Sequence, residues 1–470
     1  MAQNKPRLEL VRGLGPWASM AIVVGTMIGT GIFLKPAEMA RDAGSVGIVF
    51  AAWVVGGVLS LFGALAYAEL GAAIPEAGGE YAYLSRSFGP ATGFLFGWTH
   101  SIVARPASAA SIAAGVLRFW GFLMPSVAAP IHTFDFDYSF LGQAKHFHFV
   151  FSWAQPLAIL VLFAITGINY LGVRLGGRVQ IVLTAIKIAS VVLIIVVAFS
   201  LSHGGGTPFH PFFAGSLGTG ALGGFLAAMA AALWAYDGWE DLNLVGSEVE
   251  KPERNFHRAL LGGVAFVAGV YILFNAACFY VLPLANVVGS QHVASDVVAR
   301  IAGLGAATWV TVAMVIAGLG SLNSSILSGA RVDYAMARDG LFFRIAGGIH
   351  PKFRTPGRAL IFQCVLASLF ALTGTFEDLT SLFIFAGWIF YGLATVGLFR
   401  LRRNEPNMAR PYRCWGYPWV PGAFVAGALA LTVNLWLDRP VRCSIGLVLM
   451  FAGLIFYRHW KRAPATGATA

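Results

Sequence analysis

The sequence predicts an all-α polytopic membrane protein assembled from two matching halves. Its 470 residues are 57% hydrophobic and only 11% charged, with 13 Trp and a mean hydropathy of +0.72, whereas a soluble chain carries about 25% charged residues. Apolar runs of about 20 residues, the length a helix needs to cross a bilayer, recur along almost the whole chain, and no ten-residue alternation points to a barrel. Two of these runs are interrupted near their middles, at Gly25-Thr26-Met27-Ile28-Gly29-Thr30-Gly31-Ile32-Phe33 and at Trp234-Ala235-Tyr236-Asp237-Gly238-Trp239. Unwound backbone persists at membrane depth only where its freed N–H and C=O groups line a cavity or meet a ligand. A pair of such breaks, one early in each half, marks inverted repeats that enclose a site near the midplane.

Twelve spans follow in order. Residues 16–40 (broken), 45–71, 89–122, 152–170 and 177–200 make the first repeat, 16–200; residues 218–246 (broken), 258–283, 304–337, 357–375 and 379–401 make the second, 218–401. Two further helices, 418–437 and 441–459, occupy 402–460. The third span of each half is long enough to require tilt. Residues 1–15 and 461–470 are polar ends, and Met1 to Gly15 lacks the apolar stretch and cleavage site of a signal peptide, so the first helix is expected to stay. With the N-terminus inside, most of the 32 Lys and Arg collect on one side, and only Lys35, Arg41, Lys145, Arg300, Arg439 and Arg442 fall on the other. That asymmetry predicts both termini in the cytoplasm of a plasma-membrane protein. The net charge of +11 therefore reports topology, and the soluble basic face that nucleic-acid binding requires is absent. Cys278, Cys364, Cys414 and Cys443 show neither a disulfide framework nor metal-type spacing, and read as packing residues.

At the first break, Gly29 and Gly31 open backbone conformations closed to other residues and let a ligand approach. The half-helix starting near Ile32 aims its N–H groups and positive dipole end at the cavity, a seat for a carboxylate; close packing of small residues is the alternative. At the second break, Asp237 is ionisable at membrane depth beside Glu240 and Asp241, and such groups face a water-filled path or pair with a cation. The carbonyls of Trp234, Ala235 and Asp237 suit an ammonium group, and the Trp234 ring suits a cation–π contact or a lid. An amine and a carboxylate in one ligand describe an amino acid. Structural pairing with an Arg, or helix capping, is the competing role for all three acids. Lys187 lies about ten residues into the fifth span, about 15 Å deep, near the centre of the hydrocarbon. It is expected either to bond carbonyls of the unwound first span or to titrate during transport, with a packed, snorkelling lysine as the alternative. Arg105, nearer the outer end, is open between snorkelling and a site role.

These segments resemble the amino acid, polyamine and organocation (APC) transporter superfamily and, within it, the L-type amino acid transporter branch. The resemblance spans roughly residues 12–400 through Gly25-Thr26, Gly29-Thr30-Gly31-Ile32-Phe33, Pro75-Glu76-Ala77-Gly78-Gly79-Glu80-Tyr81, Arg105-Pro106-Ala107-Ser108, Asn169-Tyr170-Leu171-Gly172-Val173, Trp234 to Trp239, Pro252-Glu253-Arg254-Asn255 and Gly329-Ala330-Arg331. It implies the LeuT-type fold, a five-plus-five inverted repeat with helices 1 and 6 broken and two helices appended. It implies that Thr30 and Gly31 hold the substrate carboxylate, that carbonyls of Met27, Trp234, Ala235 and Asp237 meet the ammonium, and that Trp234 gates. The lysine matching Lys187 stands where sodium-coupled relatives bind sodium, which implies sodium-independent transport. Asp237, in place of a glycine, resembles members that accept cationic as well as neutral amino acids. Glu240-Asp241 replaces a usually uncharged pair. Residues 123–150 contain no cysteine, so the disulfide to a heavy subunit that animal relatives form is not expected.

An enzyme would need a nucleophile, base or metal set. The one histidine pair outside the spans, His146-Phe147-His148, is spaced poorly for joint ligation on a helix and has no evident carboxylate nearby. The Gly29 to Gly31 run is not a phosphate loop, since no strand precedes it and no Gly-Lys-Ser/Thr follows. A channel would show pore loops or charge rings. No enzyme activity, metal or cofactor is therefore expected. The reading is an amino acid exchanger working by alternating access, with a proton-coupled amino acid or polyamine symporter as the alternative.

Overall fold

The computed structural model describes residues 10, 12–140, 143–202, 209, 212–213, 219–373, 376–438 and 440–462. Helix α1 (Pro16–Met27) begins on a proline, whose missing N–H costs nothing at a helix start. It stops where Ile28 turns extended (φ −74°, ψ 91°), and the chain resumes as α2 (Thr30–Ala43), closed by Gly44 in the left-handed region (φ 59°). After α3 (Val46–Ala73), Gly78 and Gly79 (φ 94° and 49°) turn the chain into the short α4 (Glu80–Phe88). Helix α5 (Pro90–Thr99) passes through one π-helical turn, His100–Ala104, into α6 (Arg105–Leu123). Pro106 cannot donate a helical hydrogen bond, and the wide turn before it absorbs that loss.

The next segment departs from the all-α expectation. Residues Pro130–Phe140 (β1) and Gln143–Ser152 (β2) form an antiparallel hairpin, because Phe134, Phe136, Tyr138 and Phe140 alternate with polar residues in the period of a strand. His146 and His148 therefore sit on a strand, not a helix, and the register places Asp137 opposite His146 and Asp135 opposite His148. The expectation of no nearby carboxylate is corrected. The side chains of Asp137, His146 and His148 lie outside the described residues.

Helices α7 (Ala154–Tyr170), α8 (Val173–Leu201) and α9 (Thr219–Ala235) follow. Beyond the break, α10 (Asp241–Leu244) is a single turn continued by a 3-10 turn, Gly246–Glu248, so the second half-helix is much shorter than the apolar pattern to 246 suggested. Helices α11 (Pro252–Val281), α12 (Leu284–Gly289), α13 (Val293–Arg338, interrupted at Gly303 with φ 83°), α14 (Gly357–Thr373), α15 (Phe376–Asn404), α16 (Trp419–Asp438) and α17 (Pro440–Arg462) complete the chain.

Helices α1, α2, α3, α9 and α11 pack into one group, and α6, α7, α8, α13 and α14 into another, with α1 touching both α11 and α8. Nine helices among the described residues are long and apolar enough to cross a membrane, and three shorter apolar helices accompany them. Large apolar side chains face outward, Leu193 at 59% and Ile455 at 72% exposure, while Lys187, Asp241 and Asp333 are fully buried. This inversion of the soluble pattern makes the chain a multi-pass membrane protein. At one end of the bundle, the N–H groups of Gly13 and Leu14 donate to Glu248 O at 3.0 Å and Glu250 N donates back to Leu14 O. Glu248 is held by Arg331 (2.8 Å), and Glu69 by Arg402 (2.5 Å). A wide polar vestibule lined by Arg12, Glu76, Arg86, Arg338 and Asp339 opens there. Lys35, counted above with the charges on the side away from the N-terminus, is inside α2 and 3% exposed.

Candidate functional site

The two breaks face each other. Gly238 takes φ 103°, and a Cβ there would stand 2.4 Å from Thr26 Cγ2, so only glycine lets the second unwound segment cross the first. Gly29 and Gly31 serve differently from the sequence expectation. Gly29 has φ −134° and Gly31 lies within α2. Their need is space: a Cβ on Gly31 would stand 2.9 Å from Trp234 Cζ3 and 3.0 Å from Ala235 Cα, and one on Gly29 would meet Ser321 Oγ at 2.5 Å.

One cavity gathers Met27, Gly29, Thr30, Gly31, Trp234, Ala235 and Asp237, and adds Arg105, Ser108, Ser325 and Phe383. Helix α2 starts at Thr30 with no side-chain cap, and its first N–H groups have no intrahelical acceptor. The buried Thr30 hydroxyl has no hydrogen-bond partner among the described residues. Near the same break, Tyr271 Oη lies 2.5 Å from Met27 O and 2.9 Å from Ala235 O. A hydroxyl carries one proton, so two convergent carbonyls share a single donor. The cavity thus brings together orphan donors and under-satisfied acceptors. Trp234 is 8% exposed beneath Lys35, whose Nζ stands 5.1 Å from the ring centroid and 2.6 Å from Glu38 Oε2.

Lys187 reaches the break from α8. Its Nζ donates to Gly25 O (2.6 Å), Ile28 O (2.7 Å) and Ser321 Oγ (3.2 Å), which uses all three ammonium protons. Ser321 Oγ itself lies 3.0 to 3.2 Å from the carbonyls of Gly25, Thr26 and Ile28.

Arg105 does not snorkel. It is 4% exposed, with Nη2 2.5 Å from Asp241 Oδ1, Nη1 3.1 Å from Ser325 Oγ and Nε 3.2 Å from His100 Nε2. Arg105 follows the π-turn directly and reaches the second break at Asp241. Asp241 is thus the acid paired with an arginine, whereas Asp237 and Glu240 meet the Tyr391 hydroxyl at 3.1 and 2.7 Å. Tyr271, Ser321 and Tyr391 were missed from sequence, because one polar residue in an apolar helix carries no local signal.

A buried polar cavity where two broken helices meet inside a membrane bundle is the architecture of a membrane carrier. The chain belongs to the amino acid permease family, whose profile matches residues 14–457. It is 33% identical to the b(0,+)-type amino acid transporter 1 of Mus musculus over 452 residues, covering 96% of this chain and 88% of that protein. It is 31% identical to the serine/threonine exchanger SteT of Bacillus subtilis (strain 168) over 464 residues, with 97% and 98% covered. It is also 31% identical to the human cystine/glutamate transporter over 466 residues, with 98% and 87% covered.

Proposed function

We propose that this chain exchanges L-amino acids across a bacterial inner membrane by alternating access, without sodium, taking neutral and also cationic substrates. The observation that carries the reading is the polarity of the cavity. Orphan N–H groups and the unpartnered Thr30 hydroxyl at the start of α2 suit a carboxylate, and the carbonyls of Met27 and Ala235 around one Tyr271 proton suit an ammonium. Asp237 lines the same cavity and favours a cationic side chain. Trp234 closes over the substrate, and Lys187 occupies with a fixed ammonium the carbonyl cluster a sodium ion would use. The serine/threonine exchanger among the relatives supports the coupling mode. The matched breaks support a twelve-helix LeuT-type arrangement, with repeats 16–200 and 218–401, two appended helices and both termini cytoplasmic, so that the vestibule at the N-terminal end is the inner mouth. The chain works without a disulfide-linked heavy subunit.

Counterflow in proteoliposomes tests this. Leucine-loaded vesicles should take up labelled leucine, alanine and lysine, with choline replacing sodium at no cost. Uptake that needs no internal amino acid and follows a pH gradient would make the chain a proton symporter instead.

A further inference from the structure

Beside the substrate cavity lies a second one, enclosed by Glu80, Arg105, Glu240 and Tyr391 with Phe96 and Phe390 as walls. Its free space holds a group the size of a water molecule or an ammonium. Glu80 is 1% exposed, and neither of its carboxyl oxygens has a hydrogen-bond partner among the described residues. A buried carboxyl left without donors is costly, so its presence here asks for a partner that arrives.

The neighbouring cation does not fill that need. Arg105 gives its donors to Asp241, Ser325 and His100. His100 accepts at Nε2, so its proton is on Nδ1 and the ring is neutral. Tyr391 has one proton for both Asp237 and Glu240, which leaves one of those carboxyl oxygens short of a donor as well. Four acids therefore surround one committed guanidinium. The Tyr391 hydroxyl is also the junction between the cavities, because Asp237 lines the first and Glu240 the second.

We infer that the Glu80–Glu240 cavity is a cation subsite that receives the side-chain ammonium of a dibasic amino acid, beyond the reach served by Asp237. The inference rests on the exchanger reading above. It assigns the three acids by distance from the α-carbon. A short side chain places its ammonium at Asp237, and a long one passes Tyr391 and meets Glu240 and Glu80, with the aromatic walls adding cation–π attraction.

The test is inhibition of leucine counterflow by 2,3-diaminopropionate, ornithine and lysine, using the full-length protein in liposomes. In the unmodified protein, inhibition should strengthen with side-chain length. Glu80→Gln should raise the lysine concentration needed for half inhibition by about tenfold, the loss expected of one charge-assisted hydrogen bond. It should leave diaminopropionate within about twofold, because that shorter side chain does not reach the glutamine. Glu240→Gln should repeat the lysine-selective loss and keeps the question answerable if Glu80→Gln does not fold. Equal losses for all three diamines, or none, overturn the subsite. Leucine exchange insensitive to every dibasic competitor overturns it while the exchanger reading stands. If no amino acid is exchanged, that reading fails, and the subsite is judged by melting of the purified protein. Stabilisation by lysine that Glu80→Gln abolishes supports it, and stabilisation by sodium or potassium chloride alone overturns it.

Discussion

Replacing Gly31 tests the cavity most directly. Carbon atoms pack at about 3.5–4.0 Å, but a Cβ at this position would stand 2.9 Å from Trp234 Cζ3, 3.0 Å from Ala235 Cα and 3.1 Å from Ala235 Cβ. The indole can swing aside. The backbone of Ala235 cannot, since its carbonyl is held by Tyr271 at 2.9 Å. A single added methyl must therefore push α2 away from α9 by several tenths of an ångström, and overpacking of that kind costs about 1–3 kcal/mol. Charged against the closed arrangement alone, it shifts the equilibrium by roughly 5- to 150-fold. Gly31→Ala should cut the maximal rate of leucine counterflow within that range, and Gly31→Val, with two more methyls, should abolish it. Both variants should insert in the membrane and elute as single species, because the strain falls at the meeting of two breaks and not along a span. Gly167→Ala is the control: no atom lies within 4 Å of its Cβ position, and the exchange gains about 0.8–1 kcal/mol of helix propensity. A Gly31→Val protein that binds and exchanges leucine normally would refute the close approach of α2 to Trp234 and the carboxylate seat with it.

Lys187→Ala leaves the Gly25 and Ile28 carbonyls with only the Ser321 hydroxyl, a loss of about 1.5–3 kcal/mol per charge-assisted bond. Melting temperature and exchange rate should both fall at every pH tried; persistent exchange that merely loses stimulation by a proton gradient would make Lys187 a proton carrier. Sodium-stimulated uptake by the unmodified protein would refute the reading of Lys187 as a fixed substitute for sodium. Trp234→Ala should slow exchange of all substrates, as a lid contacts each of them, and unchanged turnover would remove that role. Asp237→Asn should weaken uptake of the short diamine 2,3-diaminopropionate far more than leucine uptake, and equal losses would mean that Asp237 only supports the break.

Both breaks were legible because glycine and acid residues inside a 20-residue apolar run conflict with the solvent, and that conflict is local. The partners that complete the site were not. Arg105 and Asp241 are separated by 136 positions, and nothing local to either segment marks that they meet. Tyr271 sits in an apolar helix without any mark that its hydroxyl joins the two breaks. The reason for Gly29 and Gly31 was misread, since permissive dihedrals and lack of room give the same letter in a sequence and differ only once Ala235 and Ser321 are in place. The hairpin was written in the alternation of Phe134, Phe136 and Tyr138; a search tuned to barrels passes over two strands.

The Arg105–Asp241 pair shows how the same contact can brace the fold and shape the site, and a double substitution separates these. The side chains are 5% and 0% exposed, at 2.5 Å, and they join α6 to the single turn α10. Removing one partner strands a buried charge at a cost of about 3–5 kcal/mol, whereas replacing both with apolar residues of similar volume is often neutral. Arg105→Met and Asp241→Leu should each melt well below the unmodified protein, and the combined variant should melt close to it. Leucine exchange should behave differently. Arg105 lines the substrate cavity beside Thr30 and Trp234, so the combined variant should regain stability without regaining exchange. Recovery of both would make the pair a brace alone, and a combined variant no more stable than the singles would mean that Ser325 and His100, not Asp241, carry most of the guanidinium's stabilisation.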